Sequence, residues 1–340
     1  EDFVPTTGYD LFKYDGTQTN EWYNYKGHVN DFEKTFYQGR GYLVSYETET
    51  SAILKGMLNN ENSFNFSDVS TYIADDHFAN FYLLGNPFTF DMKWNDMTAN
   101  NIYDNGYATI NVGGSYTYHS GNDIISVGDG FFVLTTGENP SLSYGASSKN
   151  ERSFDVNSLN ITSMSNEGSD NVILTFAGQE NEGFTKLDNF NENIAIIYVE
   201  NNGGRYGVMS YDEDTTEVEL CFHANRMGSY TIGIEPDGKF KSVTLIDKFT
   251  GIETNMLVED YNFTATSGDN VNRFIVKLVN GQQTTDNIHF VYQSGEDLII
   301  DAEGVVQIID VMGRVVYSDD VESTNNRINV SDFGDGTYVV

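Results

Sequence analysis

Glu217-Val-Glu-Leu-Cys-Phe-His223 places apolar Val218, Leu220 and Phe222 between Glu217, Glu219, Cys221 and His223, a period of two residues. Phe274, Val276 and Leu278 alternate in the same way with Ile275, Lys277 and Val279. A strand turns successive side chains to opposite faces, whereas a helix would need apolar recurrences three and four residues apart. Turn-forming clusters recur between such segments, as in Asn202-Gly203-Gly204, Pro236-Asp237-Gly238, Ser267-Gly268-Asp269 and Gly334-Asp335-Gly336. Many short strands at close spacing predict antiparallel sandwiches. One short helix or helical turn is predicted over residues 91–101, after the irregular entry around Gly85 and Pro87; no long amphipathic helix is visible. The expected fold class is all-β, as tandem antiparallel β-sandwiches.

A chain of 340 residues exceeds the usual size of one domain. Two polar stretches without an apolar face, residues 145–152 (GASSKNER) and 280–287 (NGQQTTDN), read as linkers. They predict an aromatic-rich, jelly-roll-like sandwich over residues 1–149 acting as an interaction module. A second sandwich over 150–283 follows as a spacer, and a short third domain covers 284–340. Within the first domain, Gly41 to Gly56 aligns without a gap on Gly130 to Gly145, matching Val44 to Val133 and Glu49 to Glu138. Each copy reads as a strand, a polar turn and a returning strand, hence a β-hairpin. Two readings stay open, an internal repeat or two hairpins of equal length.

Lys plus Arg number 18 against 51 Asp plus Glu, a net charge of −33. Such a field repels phosphate backbones and anionic headgroups, so no nucleic-acid partner is expected and anionic membrane surfaces are poor candidates. Hydrophobic residues at 39% and aromatics at 14% are too abundant for a disordered chain. The single cysteine, Cys221, has no partner for an intrachain disulfide. No apolar run approaches a membrane span, the longest being residues 194–199. The first residues, Glu1-Asp2-Phe3-Val4-Pro5, have neither a basic region nor an apolar one, so any export signal is expected to have been removed or to lie upstream, and the chain is expected to be part of a longer protein.

Val306-Gln-Ile-Ile-Asp-Val-Met-Gly-Arg-Val-Val-Tyr317, followed by Ile328-Asn-Val-Ser-Asp-Phe-Gly-Asp-Gly-Thr-Tyr-Val-Val340, closely resembles the C-terminal sorting domains of the Bacteroidetes type IX secretion system. In that family a strand ending in Asp-x-x-Gly-Arg turns into a second strand, and a later Gly-x-Tyr opens another. The matching positions are Asp310, Gly313, Arg314, Gly336 and Tyr338. Met312-Gly313 is expected to make the turn, and Gly336 to permit a tight entry into the Tyr338 strand. The resemblance implies an immunoglobulin-like sandwich, contact with the secretion machinery, and a protein that is secreted or attached to the outer-membrane surface. The chain stops at Val340, short of the family's usual last strand, so a partial, truncated tail is expected. Gln38 to Val44, Leu84 to Phe88, Val127 to Val133, Gly228 to Ile232 and Arg273 to Val276 look like the β-rich regions placed before such tails, and no catalytic residues carry over.

Motifs for a nucleophile elbow, a zinc protease, a phosphate-binding loop or a Cys-x-x-Cys site are absent. Cys221 and His223 share a predicted strand face with Glu217 and Glu219, an arrangement open in principle to a thiolate pair or metal site, but plain packing is the expected role. No cofactor is expected apart from calcium, for which Asp212-Glu-Asp214, or Asp10 with Asp15, would supply hard oxygen ligands; the alternative is a solvated acidic loop. Asp214-Thr215-Thr216 also resembles a Bacteroidetes O-glycosylation acceptor. Tyr23 with Tyr25, and Tyr116 with Tyr118, each project from one face of a predicted strand. They offer either a stacking platform for a glycan or protein ligand, or cross-strand core packing. The expected function is thus a non-catalytic adhesion or ligand-binding region with a sorting tail. The alternatives are a carbohydrate-binding accessory region of a hydrolase and a glycosidase with a carboxylate pair, which 51 acids would conceal.

Overall fold

A computed structural model describes residues 8–27, 35–48, 57, 59–74, 78–121, 123–145, 157–176, 183–237, 240–280, 291–294, 297–300, 304–321, 326–331, 333–334, 336 and 338–339. Among them the regular structure is strand, apart from one 3-10 turn at Trp94–Asp96. That turn replaces the helix predicted for residues 91–101: strands Met92–Lys93 and Met97–Asn100 flank it. Met92, Trp94 and Met97 are buried, and the Trp94 indole N–H donates to the Asp104 carbonyl at 2.7 Å, so the segment is fixed by tertiary contacts rather than by a helical stripe.

The chain separates into two compact units, Glu1–Gln282 and Gln283–Val340. The later part of the first unit is one eleven-stranded sheet. In it Glu217–Ala224 lies between Ile196–Asn201 and Gly268–Asn280, antiparallel to both. Val218, Leu220 and Phe222 face one apolar core with Leu159, Ile161, Val172, Leu174, Leu245, Phe274 and Val276, as their period of two predicts. Residues from distant strands of one sheet meet in that core because the sheet curls over itself into a sandwich. Its end strands, Ile252–Asn255 and Tyr261–Ala265, do not pair with each other. One pairing is parallel, Gly168–Phe176 with Gly204–Tyr211.

Ahead of this sheet, Phe81–Gly85, Gly130–Leu134, Gly106–Ile110 and Tyr116–Ser120 form a four-stranded antiparallel sheet in that order. One face packs with the three-stranded sheet of Phe64–Phe66, Ser141–Tyr144 and Met97–Asn100 around Phe66, Leu84, Trp94, Tyr107, Phe131 and Leu142. The other face presents Phe81, Tyr116, Tyr118, Phe132 and Leu134, and these share an interior with Ile173, Phe184 and Val208. Coverage on both faces explains why Phe131, Phe132, Val133 and Leu134 form a continuous apolar run. No sheet among the described residues runs across residue 150, yet the apolar interior does.

The expected hairpin at Gly130 to Gly145 is not formed. Gly130–Leu134 and Ser141–Tyr144 belong to different sheets. The connecting segment is held instead by the residue 101 turn: Thr136 N–H donates to the Asn101 carbonyl at 2.9 Å, and Asn101 Nδ2 donates to the Glu138 carbonyl at 2.6 Å. The returning strand therefore crosses to the opposite layer. In the proposed first copy, residues 49–56 lie outside the described residues, as do most of the two linker stretches, 146–152 and 281–287.

The second unit has two three-stranded sheets. One is Val291–Ser294, Asp297–Ile300 and Asn326–Asn329; the other is Val315–Val321, Gly304–Asp310 and Tyr338–Val339. Ile300, Val306, Ile308, Val321 and Ile328 form its core. This is a small antiparallel sandwich, in keeping with the immunoglobulin-like expectation.

Candidate functional site

In the tail, the Asp-x-x-Gly-Arg positions close into a clamp. Asp310 N–H donates to the Arg314 carbonyl at 2.9 Å, and Gly313 N–H donates to the Asp310 carbonyl at 2.8 Å. Asp310 Oδ1 accepts the backbone N–H groups of Met312 at 2.9 Å and Arg314 at 3.0 Å, while Oδ2 accepts Arg314 Nε at 2.8 Å and pairs with its Nη2 at 2.7 Å. The Arg314 N–H, then the Arg314 guanidinium and the Met312 N–H, outweigh the effect of burial and hold the Asp310 carboxyl below the usual carboxylate range. Gly313 has φ +78°, a conformation that favours glycine. The turn thereby presents Val311 and Met312 to solvent.

Tyr338 pairs with Asp310 across the sheet, and its hydroxyl donates to the Gly334 carbonyl at 2.8 Å. Its ring lies 5.7 Å from that of Phe333. Gly336 does not carry the steric role expected of it: a Cβ there would meet the Tyr338 ring at an ordinary 3.7 Å.

The four candidate platform tyrosines separate into two groups. Tyr23 and Tyr25 are half-buried on the strand edge beside Tyr9–Tyr14, with Tyr25 N–H donating to the Leu11 carbonyl at 2.8 Å. Lys13 Nζ sits 5.7 Å from the Tyr23 ring centre. Tyr116 and Tyr118 are interior, 3% and 1% exposed, so neither is a stacking surface. They face the eleven-stranded sheet because Tyr118 N–H donates to Asn171 Oδ1 and Asn171 Nδ2 donates back to the Tyr118 carbonyl, both at 2.9 Å. One asparagine thus imitates a neighbouring strand. Tyr116 N–H donates likewise to Asn189 Oδ1 at 3.0 Å, and burial pushes both phenols up.

Beneath Tyr118 lies a fully buried ion pair, Lys186 Nζ to Asp170 Oδ2 at 2.8 Å, with the ammonium 4.3 Å from the Tyr118 ring centre. Asp170 also accepts Ile197 N–H at 2.8 Å, and Lys186 donates to the Asn171 carbonyl at 2.6 Å. A second buried pair closes the far end of the sandwich: Arg273 Nε and Nη2 reach Asp247 Oδ1 and Oδ2 at 3.1 and 2.7 Å. Asp247 further accepts Phe249 N–H at 2.9 Å and the Tyr261 hydroxyl at 2.8 Å. Burial opposes ionisation there, but these donors outweigh it and lower the Asp247 carboxyl. Beside this pair opens a cleft of about 820 Å³, bordered by Tyr261–Ala265 and the turn that carries Phe249.

Cys221 is fully buried beside Ile196 and Tyr198, and burial pushes its thiol up, the opposite of a reactive cysteine. His223 turns instead to Asn225 Oδ1 at 2.8 Å. Asp212 and Asp214 lie in a solvated turn closed by Thr215 N–H donating to the Asp212 carbonyl at 3.1 Å. Asp10 accepts Asn24 Nδ2 at 2.7 Å and pairs with Lys26 at 3.2 Å, and Asp15 caps the Thr17 turn. Among the described residues, no three His, Cys, Asp or Glu side chains are grouped to hold a metal.

One arrangement escaped the sequence: His119 Nε2 lies 2.8 Å from Thr109 Oγ1, its Nδ1 lies 3.6 Å from Asp123 Oδ2, and its ring stacks on Tyr107 at 4.6 Å. The signal was present, since Thr109 and His119 sit on facing strands of one hairpin, Gly106–Ile110 and Tyr116–Ser120.

The clamped turn belongs to a small sandwich whose described strands number six. Residues 283–340 match the secretion system C-terminal sorting domain family. The chain thus ends in a type IX sorting tail, which makes it a secreted or outer-membrane surface-attached protein that engages the secretion machinery. No curated protein and no solved structure matches the chain. Among the described residues no helix is long and apolar enough to cross a membrane.

Proposed function

We propose that the first unit is the non-catalytic cargo of this tail, an adhesion or ligand-binding region that works outside the cell. The observation that carries the reading is the joining of a sorting domain to a unit whose interior is tied together by paired buried ions and aromatic packing. A rigid scaffold that holds surface groups in place is what recognition outside the cell requires. Half-buried Tyr23 and Tyr25, on one face of the strand beside Tyr9–Tyr14, offer aromatic groups suited to a glycan or protein, while Trp22 turns to the opposite face against Tyr14 and Phe132.

A hydrolase is the second reading, favoured by the Thr109, His119 and Asp123 order of hydroxyl, imidazole and carboxylate. The deciding experiment offers the purified chain and a His119→Ala variant to ester, peptide and glycoside panels, and in parallel measures retention of the chain on cell and matrix surfaces. Retention without turnover supports the binding reading. Turnover abolished by His119→Ala would replace it with the enzyme.

A further inference from the structure

The cleft at the open end of the eleven-stranded sheet combines features seldom found together on this acidic surface. It lies where the sheet fails to close, between the end strands Ile252–Asn255 and Tyr261–Ala265. At about 820 Å³ it falls in the range of small-ligand sites. Among the described residues that line it none is Asp or Glu, although the chain carries 51 of them. Arg273, the one ionised group among the described lining residues, is neutralised by the two-point contact with Asp247, and its Nη1 donates to the Thr264 carbonyl at 3.2 Å. The cleft therefore attracts neither cations nor anions strongly.

What remains is a set of neutral donors and acceptors beside an aromatic ring. Ser229, Thr231, Asn262 and Thr264 line the walls. Asn262 uses Oδ1 to accept the Thr231 hydroxyl at 2.7 Å, and among the described residues its Nδ2 makes no bond, which leaves two amide donors. Phe249 is 84% exposed, a costly position for a phenylalanine in water. Its backbone N–H is bonded to Asp247, and its ring lies 5.4 Å from the Arg273 guanidinium. An exposed ring next to amide and hydroxyl groups matches a sugar, whose apolar face stacks and whose hydroxyls bond in the ring plane.

We propose that this cleft binds a neutral oligosaccharide segment, stacked on Phe249 and held by Asn262. The proposal deepens the ligand-binding reading of the first unit and rests on it. An extended peptide added to the edge strand Tyr261–Ala265 is the competing occupant. Two features disfavour it: Arg273 already holds the Thr264 carbonyl, and the exposed side chains of the edge are polar Asn262 and Thr264 rather than apolar pockets.

The test titrates the full chain, Phe249→Ala and Asn262→Ala with neutral gluco-, manno-, galacto- and xylo-oligosaccharides, with oligouronates, and with a library of extended peptides. Melting temperatures of all three proteins are recorded, and surface retention of the full chain and of Phe249→Ala is measured in parallel. At least one neutral series binds the full chain, each variant weakens it by roughly tenfold or more without a change in melting temperature, and uronates bind less well. No binding by any neutral series overturns the proposal, as does binding untouched by either variant, or peptide binding lost on Phe249→Ala. If surface retention survives Phe249→Ala, the cleft is wrong while the ligand-binding reading stands. If retention is absent altogether, that reading has failed on its own.

Discussion

Replacement of Tyr118 by alanine tests whether the aromatic sheet and the eleven-stranded sheet share one interior. Tyr118 is 1% exposed; its ring packs 6.0 Å from Phe184 and 4.3 Å from the Lys186 ammonium, and its oxygen accepts Leu187 N–H at 2.7 Å. Gly207 leaves room for it, since a Cβ there would lie 2.3 Å from the ring. Removal of a large buried aromatic costs about 3–5 kcal/mol, and an orphaned buried N–H adds about 1–3 kcal/mol. Unfolding entropy near 2.1 cal/mol/K per residue gives a unit of this size a slope of about 0.6 kcal/mol/K, so Tyr118→Ala is expected to lower its melting temperature by roughly 7–13 °C. Tyr118→Phe, which loses only the acceptor, is expected to cost roughly 2–5 °C. Tyr25→Ala, at the half-buried edge, is expected to cost about 2 °C or less. The assay is thermal unfolding followed by near-ultraviolet circular dichroism and intrinsic fluorescence. A shift below about 2 °C for Tyr118→Ala would refute the shared interior. So would separate melting of Trp94, in the aromatic half, and of a fluorescent label introduced in place of Phe249, in the later sheet.

Three further outcomes follow from the same geometry. Gly313→Ala places a side chain at φ +78° and is expected to destabilise the tail by roughly 1–2 kcal/mol, read as a loss of tail stability in urea with the first unit unchanged. The folded-state pKa of Asp247 is depressed, so its contribution is complete above the unfolded carboxylate value near 3.9 and lost as pH falls through the folded one; between pH 5 and pH 3 the melting temperature of the wild type is expected to fall more steeply than that of Asp247→Asn. Cys221 is expected to resist thiol reagents in the native protein and to react fully once the sandwich unfolds, and rapid native labelling would contradict its burial.

The strand pattern was legible because alternation reports burial on one face, as Val218, Leu220 and Phe222 do. It was also legible in the tail, where Asp310, Gly313 and Arg314 act within five residues of one another and the turn they form is local. Sequence reasoning failed where a strand is covered twice. Gly130–Leu134 is apolar throughout, so nothing local distinguished a hairpin partner from a strand in the facing layer. Tyr116 and Tyr118 were ambiguous for the same reason: alternation places them on one face, but Asn171 and Asn189, more than fifty residues away, decide that this face is interior. Arg273 with Asp247, 26 residues apart, and Lys186 with Asp170 are visible only after folding, because a charged residue reads as exposed until its partner is known.

If residues 283–340 carry the first unit out of the cell, localisation of the full-length protein against a deletion of those residues, in a host with the type IX system, will show it. Antibody labelling of intact cells and of the medium, with the periplasm assayed in parallel, is expected to find the wild type outside and the deletion folded but retained in the periplasm. Export of the deletion at the level of the wild type would contradict the account.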